Sequence, residues 1–107
     1  MDQDGVFSYS ENGFTIQLNN GARYVAWDEI EMIRAYKIDQ LTLDCIVIEV
    51  STKENIYSIN DDTPGYIKFM DLALKKLPEF KKDWFEKVAF PAFATNPTII
   101  YERVSIP

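Results

Sequence analysis

The sequence predicts an α+β fold in which an antiparallel β-sandwich, or a partly open barrel, is capped by one amphipathic helix. Two observations indicate the strands: alternating apolar runs flank an Asn-Gly pair at 20–21, and β-branched residues dominate the segment from Cys45 to Val50. A third indicates the helix, because after Asp62 apolar residues recur every three or four positions. We also expect a second, C-terminal helix followed by an extended tail.

The length and composition predict one domain over residues 1–107. Hydrophobic residues make up 47% of the chain and charged residues 26%, both close to the averages for globular proteins. The net charge of −6 disfavours nucleic acids and anionic membranes as partners. No apolar segment approaches the roughly 20 residues needed to span a bilayer, and the acidic N-terminus does not resemble a secretory signal. We therefore expect a cytoplasmic protein.

The first hairpin is predicted from the segment FTIQLNNGARYVAW. Asn20 and Gly21 suit a two-residue type I′ turn, because both turn positions require a positive φ. Such a turn would pair Leu18 with Arg23, Ile16 with Val25 and Phe14 with Trp27.

Three further strands are predicted. The first runs from Met32 to Ile38, a segment in which a strand is favoured over a helix. A loop from Asp39 to Asp44 then leads into a second hairpin, in which CIVIEV and IYSI flank the polar turn STKEN.

The capping helix is predicted between Thr63 and Leu77. Thr63 is the expected N-cap and Pro64 the expected first helical residue, while Pro78 should end the helix. One side of this helix should be buried, and its apolar residues are Tyr66, Phe69, Met70, Ala73, Leu74 and Leu77.

The C-terminal third contains the second predicted helix, over residues 78–90, and the segment TIIYERV, which is typical of a closing strand or an extended cover. The second helix would place Phe80, Trp84 and Val88 on one side. The tail residues expected to be buried are Phe90, Phe93, Ile99 and Ile100.

Three aromatic residues of this region are candidate partner-binding residues: Trp84, Phe85 and Tyr101. Exposed aromatic side chains often anchor protein interfaces. The competing interpretation, which we weight more heavily, is that these side chains close a small core.

The sequence contains few residues of the types that carry out catalysis. The sequence has no histidine and one cysteine, Cys45, which excludes imidazole-based catalytic triads and the common zinc sites. It also lacks a glycine-rich phosphate loop. Carboxylates cluster at 28–31 (Asp28, Glu29 and Glu31) and at 61–62 (Asp61 and Asp62), but a solvated corner and a helix start account for these clusters. We expect a non-enzymatic protein with no cofactor and no metal site.

The order of elements resembles that of small bacterial pleckstrin-homology-like domains. The resemblance covers Phe14 to Leu77 and is carried by the corner VAWDEI, by AYK and IEV in the following strands, and by the helix that begins near TPGY. It implies a bent sandwich capped by a helix, and the elements after Leu77 depart from that layout. The ending WFEKVAFPAFATNPTIIYER is also similar to small uncharacterised bacterial proteins, including toxin-immunity-like ones.

Three functions remain open at this point. The leading hypothesis is a binding domain that engages a protein partner, as a small acidic inhibitor or an immunity-type protein. The second is a small-molecule or lipid-headgroup sensor, which would require Arg23, Lys37 and Lys53 to converge. The third, ranked last, is an enzyme that uses carboxylates alone, which would require two of them close together in a cleft. A structural homo-oligomer joined through a sheet edge or the aromatic tail competes with all three.

Overall fold

The computed structural model describes residues 4–40, 43–77, 80–81, 83–89 and 97–103. One antiparallel sheet has the order β1-β2-β3 and consists of β1 (Phe7–Tyr9), β2 (Gly13–Leu18) and β3 (Gly21–Ala26). The other has the order β6-β5-β4-β7 and consists of β4 (Met32–Gln40), β5 (Leu43–Ser51), β6 (Ile56–Asn60) and β7 (Thr98–Glu102). A 3-10 turn, Trp27–Glu29, links the sheets, and helix α1, Tyr66–Lys76, follows β6. The fold is α+β as predicted, and the sheets do not close into a barrel.

The first hairpin turns one residue earlier than predicted. The structure pairs Leu18 with Gly21, Ile16 with Arg23 and Phe14 with Val25. The turn residues are therefore Asn19 and Asn20, and Gly21 opens β3 with a φ of 121°, which glycine adopts at little cost. Each residue of β2 therefore faces a residue of β3 that lies two positions earlier than predicted. A shift of two positions leaves every side chain on its predicted face of the sheet, so Phe14, Ile16 and Val25 still share the buried face.

The strand predicted from Met32 is confirmed and is longer than expected. β4 and β5 stay paired from Met32 opposite Ser51 to Gln40 opposite Leu43. The predicted loop from Asp39 to Asp44 is therefore wrong in its limits, since four of its residues lie in strands; residues 41–42 lie outside the described residues. The second hairpin, β5 and β6, is confirmed.

β7 is the predicted closing strand, and it contains a β-bulge. Ile33 pairs with Tyr101 but Arg34 pairs with Ile99, so Ile100 is the extra residue. Ile100 and Tyr101 are both buried, whereas Ile99 is 38% exposed. The expected burial is confirmed for Ile100 and wrong for Ile99, which shares the outer face with Arg34. The predictions for Phe90 and Phe93 lie outside the described residues.

Helix α1 begins after a glycine instead of after the predicted N-cap Thr63. Gly65 is the N-cap and has a φ of 91°. A Cβ there would overlap the carbonyl oxygen of Asp4, so this close approach requires glycine. The Thr63 hydroxyl oxygen instead accepts the Asn60 N–H at 3.0 Å and closes the preceding turn. Pro64 consequently precedes the helix.

Phe69 ties α1 to the first sheet. Its ring centroid lies 4.8 Å from that of Phe7, 5.0 Å from that of Phe14 and 6.0 Å from that of Trp27. The predicted apolar side of α1 is confirmed: Phe69, Met70, Ala73 and Leu77 are buried, and Tyr66 and Leu74 pack partly buried against the same core.

The second predicted helix is represented by a six-residue helical segment, Trp84–Ala89. Phe80, Trp84 and Val88 are all buried and belong to the main hydrophobic cluster. Phe80 and Lys81 are not helical, and residues 78, 79, 82 and 90 lie outside the described residues. A helix over the whole of 78–90 therefore stays a prediction.

Replacing Phe69 should be the most damaging change to this core. We expect Phe69→Ala to lower the free energy of unfolding by about 3–5 kcal/mol, because the ring is fully buried among three other rings. Ile67→Ala is the matched control, since Ile67 lies on the same helix and is 77% exposed; its effect should be under about 0.5 kcal/mol. Urea unfolding followed by circular dichroism measures both, and equal losses would contradict this packing.

Two tyrosines should lose their hydroxyl protons at a higher pH than an ordinary tyrosine does. Burial, and then the Asp4 carboxylate, raises the pKa of Tyr9 to about 12; burial, and then Asp61, raises the pKa of Tyr66 to about 12. The unfolded chain, with tyrosine pKa values near 10, releases these protons first. Stability that is present below about pH 10 is therefore lost as the pH rises towards about 12.

Phenolate absorbance measures this titration. At least two of the six tyrosines should ionise late in the folded protein, since burial also raises the pKa of Tyr36. In urea all six should ionise together. Tyr9→Phe should remove one late group without loss of stability, because the Tyr9 hydroxyl is buried with no partner among the described residues. A single early transition in the folded protein would show that these rings are solvated.

Candidate binding cleft

An open cleft of about 600 Å³ is formed by parts of the chain that are distant in sequence. Its walls are the middle of β3, the 3-10 turn, the turn between β5 and β6, and the residue that follows β7. The charged and aromatic residues that line it are Arg23, Tyr24, Asp28, Glu29, Glu31, Lys53, Glu54, Tyr57 and Arg103. Charges of both signs thus border one cleft, and carboxylates outnumber cations by one.

Arg103 fixes the wall formed by the 3-10 turn. Its Nε donates to the carbonyl oxygen of Ile30 at 3.2 Å, and its guanidinium also donates to the carbonyl oxygen of Asp28. The same Nε lies 3.4 Å from the Glu31 carboxylate, and the Arg103 N–H donates to the Glu31 carbonyl at 2.8 Å. Because β7 pairs with β4, the end of β7 holds the segment that leads into β4.

The other walls are braced by bonds of their own. The Glu29 carboxylate accepts the Ala26 N–H at 3.0 Å, which joins β3 to the 3-10 turn. In the turn between β5 and β6, the Thr52 hydroxyl oxygen accepts the Asn55 N–H at 3.1 Å, and the Thr52 N–H donates to the Asn55 carbonyl at 2.8 Å. These bonds order the walls within the chain itself.

The accessible contacts of the cleft lie on β3 and on the opposite turn. Tyr24 is 53% exposed. The Arg23 guanidinium is exposed and donates to the carbonyl of its neighbour Ala22 at 3.1 Å. Lys53 and Glu54 are exposed at the tip of the opposite turn. The cleft therefore combines an exposed aromatic residue with charges of both signs.

The structure does not bring together the three cationic side chains that were predicted to converge. Arg23 and Lys53 line the cleft, but Lys37 lies on the buried face of β4, opposite Ile46. Convergence of all three is therefore wrong. The physical reason is strand alternation, which places Lys37 on the same face as Ile33 and Ala35.

The three candidate aromatic residues also differ in exposure. Trp84 and Tyr101 are buried in the core, whereas Phe85 is 51% exposed. The Phe85 ring stands perpendicular to that of Trp84, with the centroids 5.7 Å apart. A role in partner binding stays a prediction, and of these three side chains Phe85 is the accessible one.

The predicted carboxylate clusters and Cys45 are also placed. Asp28, Glu29 and Glu31 line the cleft, whereas Asp61 borders a groove beside α1. Burial, and then Asp61, raises the pKa of the Cys45 thiol, which lies 3.7 Å from the Asp61 carboxylate. In the part of the chain that the structure describes, no group of three or more Cys, Asp or Glu residues is arranged to hold a metal ion. None of the described helices is both long and apolar enough to cross a membrane.

Sequence reasoning missed several residues of this site, Tyr24 and Arg103 among them. The exposure of Tyr24 could have been predicted, because side chains alternate along a strand and Tyr24 therefore points away from the face that Val25 buries. The sequence around Arg103 does not indicate that it borders the cleft, because its contacts depend on the pairing of β7 with β4. No family model matches this sequence, and no curated protein or solved structure has significant similarity to it. Function is therefore inferred from the geometry and charge of the cleft.

Replacing the Arg103 guanidinium with an ammonium group should destabilise the cleft wall. We expect Arg103→Lys to lower the free energy of unfolding by about 1–2 kcal/mol, because an ammonium group cannot reproduce the forked contact with two carbonyls. Arg23→Lys is the matched control, since the one side-chain hydrogen bond of Arg23 among the described residues is to the carbonyl of its neighbour Ala22; its effect should be under about 0.5 kcal/mol. Urea unfolding of both variants measures the difference, and a neutral Arg103→Lys would contradict the bracing role.

Proposed function

We propose that this protein is a non-enzymatic binding domain that engages a protein partner through the cleft between β3 and the turn that joins β5 to β6. The presence of the exposed Tyr24 in a cleft lined by charges of both signs is the observation that supports this proposal. Tyrosine and arginine contribute strongly to protein interfaces, and walls that are already ordered lower the entropic cost of binding.

The charge of the cleft favours a polypeptide ligand. An isolated phosphate would meet four carboxylates, and the Arg103 guanidinium is already bonded to carbonyl oxygens and close to Glu31. A polypeptide segment that carries both signs of charge can match this surface. The net charge of −6 would also steer a basic partner towards the protein, which fits an acidic inhibitor or an immunity-type role.

The alternative proposal is a small-molecule or lipid-headgroup sensor of the pleckstrin-homology-like kind. It is favoured by one observation, that Arg23 and Lys53 border the same cleft. The element order up to α1 supports the comparison, whereas β7, which follows α1 in the chain and joins the second sheet, is an addition to that layout.

Capture from the native cells tests the first proposal. Tagged wild-type protein is compared with a cleft variant, Arg23→Glu with Tyr24→Ser, and with a matched control on α1, Lys76→Glu with Ile67→Ser. We expect one partner to be retained by wild type and control, lost from the cleft variant, and bound less tightly as salt rises. No retained partner, or equal retention by both variants, would contradict a protein-binding cleft.

Two further measurements distinguish the remaining interpretations. Sedimentation with vesicles that contain anionic lipid tests the alternative, which requires binding by wild type and control but not by the cleft variant. A Phe85→Ser variant in the same capture tests the predicted aromatic contact. If Phe85→Ser loses the partner and the cleft variant keeps it, the interface lies on the Trp84–Ala89 segment instead.

A further inference from the structure

The outer edge of β3 borders the cleft. Arg23, Tyr24 and Val25 all line the cleft although side chains alternate along a strand, so the cleft meets β3 along its backbone edge. β3 pairs with β2, and Trp27 continues that pairing, since its N–H donates to the Asn12 carbonyl at 2.9 Å. Bonded residues alternate in an antiparallel ladder, so the backbone groups of Val25 face β2 and those of Tyr24 face outward.

The outward backbone groups of β3 are partly occupied. At one end the Glu29 carboxylate holds the Ala26 N–H, and the Ala26 carbonyl begins the 3-10 turn. At the other end the Arg23 guanidinium donates to the Ala22 carbonyl in an exposed bond. The N–H and the carbonyl of Tyr24, and the Ala22 N–H, have no hydrogen-bond partner among the described residues. Three backbone groups are therefore open beside the cleft.

We propose that the partner binds as an extended segment that adds to this edge, antiparallel to β3, as a fourth strand of the first sheet. The inference rests on the proposed function of the cleft and specifies how the partner is held. One residue of the segment lies opposite Tyr24 and exchanges both backbone bonds with it. The carbonyl two residues further along accepts the Ala22 N–H, and the N–H of the same residue replaces the Arg23 guanidinium at the Ala22 carbonyl. Strand addition of this kind derives affinity from main-chain bonds and specificity from side chains.

The size of the cleft favours one strand over a second copy of the chain. The rise along a strand, the spacing of strands and the spacing of packed sheets give each extended residue about 160 Å³. The cleft of about 600 Å³ therefore has room for about four residues. The turn that carries Lys53 and Glu54 borders the cleft opposite β3. A second copy pairing through β3 would bring its own β2 alongside, which is more than this space holds.

The charges around the edge predict the chemistry of the segment. Asp28 borders the cleft, is exposed, and its carboxylate has no ion pair among the described residues. The Arg23 guanidinium becomes available when the segment replaces it at the Ala22 carbonyl. Along β3 and the 3-10 turn, Arg23 and Asp28 are roughly 14 Å apart, or about four extended residues. In the antiparallel direction, the segment therefore carries a basic residue beside Asp28 and an acidic residue about four positions later, beside Arg23.

Peptides selected from a random hexapeptide phage library against the wild-type protein are the probe. We expect them to share a basic residue followed about four positions later by an acidic one. Synthetic versions should bind the cleft variant, Arg23→Glu with Tyr24→Ser, at least about tenfold more weakly than the wild type. Methylation of single peptide nitrogens then tests strand addition: affinity should fall about tenfold at two amides that lie two residues apart, and should not change at the amide between them.

A backbone variant tests the same bonds from the side of the protein. Ala22→Pro removes one open N–H, and proline is tolerated where the N–H of an edge strand faces solvent. We expect Ala22→Pro to bind the peptides about tenfold more weakly with an unchanged circular dichroism spectrum, whereas Ala22→Ser, which keeps the N–H, should bind like the wild type.

The outcomes separate this inference from the proposed function. No selected peptide, the opposite order of charges, or a methylation scan without alternation would overturn strand addition. If the scan lacks alternation but the cleft variant still loses the peptides, the cleft binds polypeptide in another way and the proposed function stands. Alternation without a partner captured from the native cells would contradict the proposed function and leave the open edge established. A wild-type dimer that Ala22→Pro dissociates would assign the edge to a second copy and overturn the inference.

Discussion

The packing of Phe69 against Phe7, Phe14 and Trp27 is the contact on which the other parts of the structure depend. It joins helix α1 to the first sheet and buries four rings together. Trp27 is also the first residue of the 3-10 turn, so the ring that fills the core fixes where a wall of the cleft begins. Because interiors are close-packed, a loss at Phe69 would displace Trp27 and, with it, the cleft.

Periodicity predicted the elements, and contacts between distant residues decided their limits. Apolar spacing was sufficient for α1 and for the long hairpin of β4 and β5, since both bury one regular face. The turn of the first hairpin was misplaced because Asn19-Asn20 and Asn20-Gly21 both suit turn positions, and the two alternatives leave every side chain on the same face. The start of α1 was misplaced because the close approach of Gly65 to Asp4 is a contact between segments some sixty residues apart in the chain.

The cleft was predictable only in parts. Arg23 and Lys53 were named as anchors from their charge, and alternation was enough to show that Lys37 would not join them. Arg103 could not be predicted, because it reaches the carbonyls of Asp28 and Ile30 only through the pairing of β7 with β4. The exposure of Phe85 beside the buried Trp84 likewise depends on which side of a short helical segment meets the sheet.

The walls of the cleft come from separate segments of the chain, so its shape depends on how those segments are held together. Lys53 and Glu54 border the cleft from the turn between β5 and β6, whereas Arg103 reaches it from the end of β7. Because β4 pairs with both β5 and β7, one strand sets the positions of both walls. A change that shifted β4 would therefore displace two sides of the cleft at once.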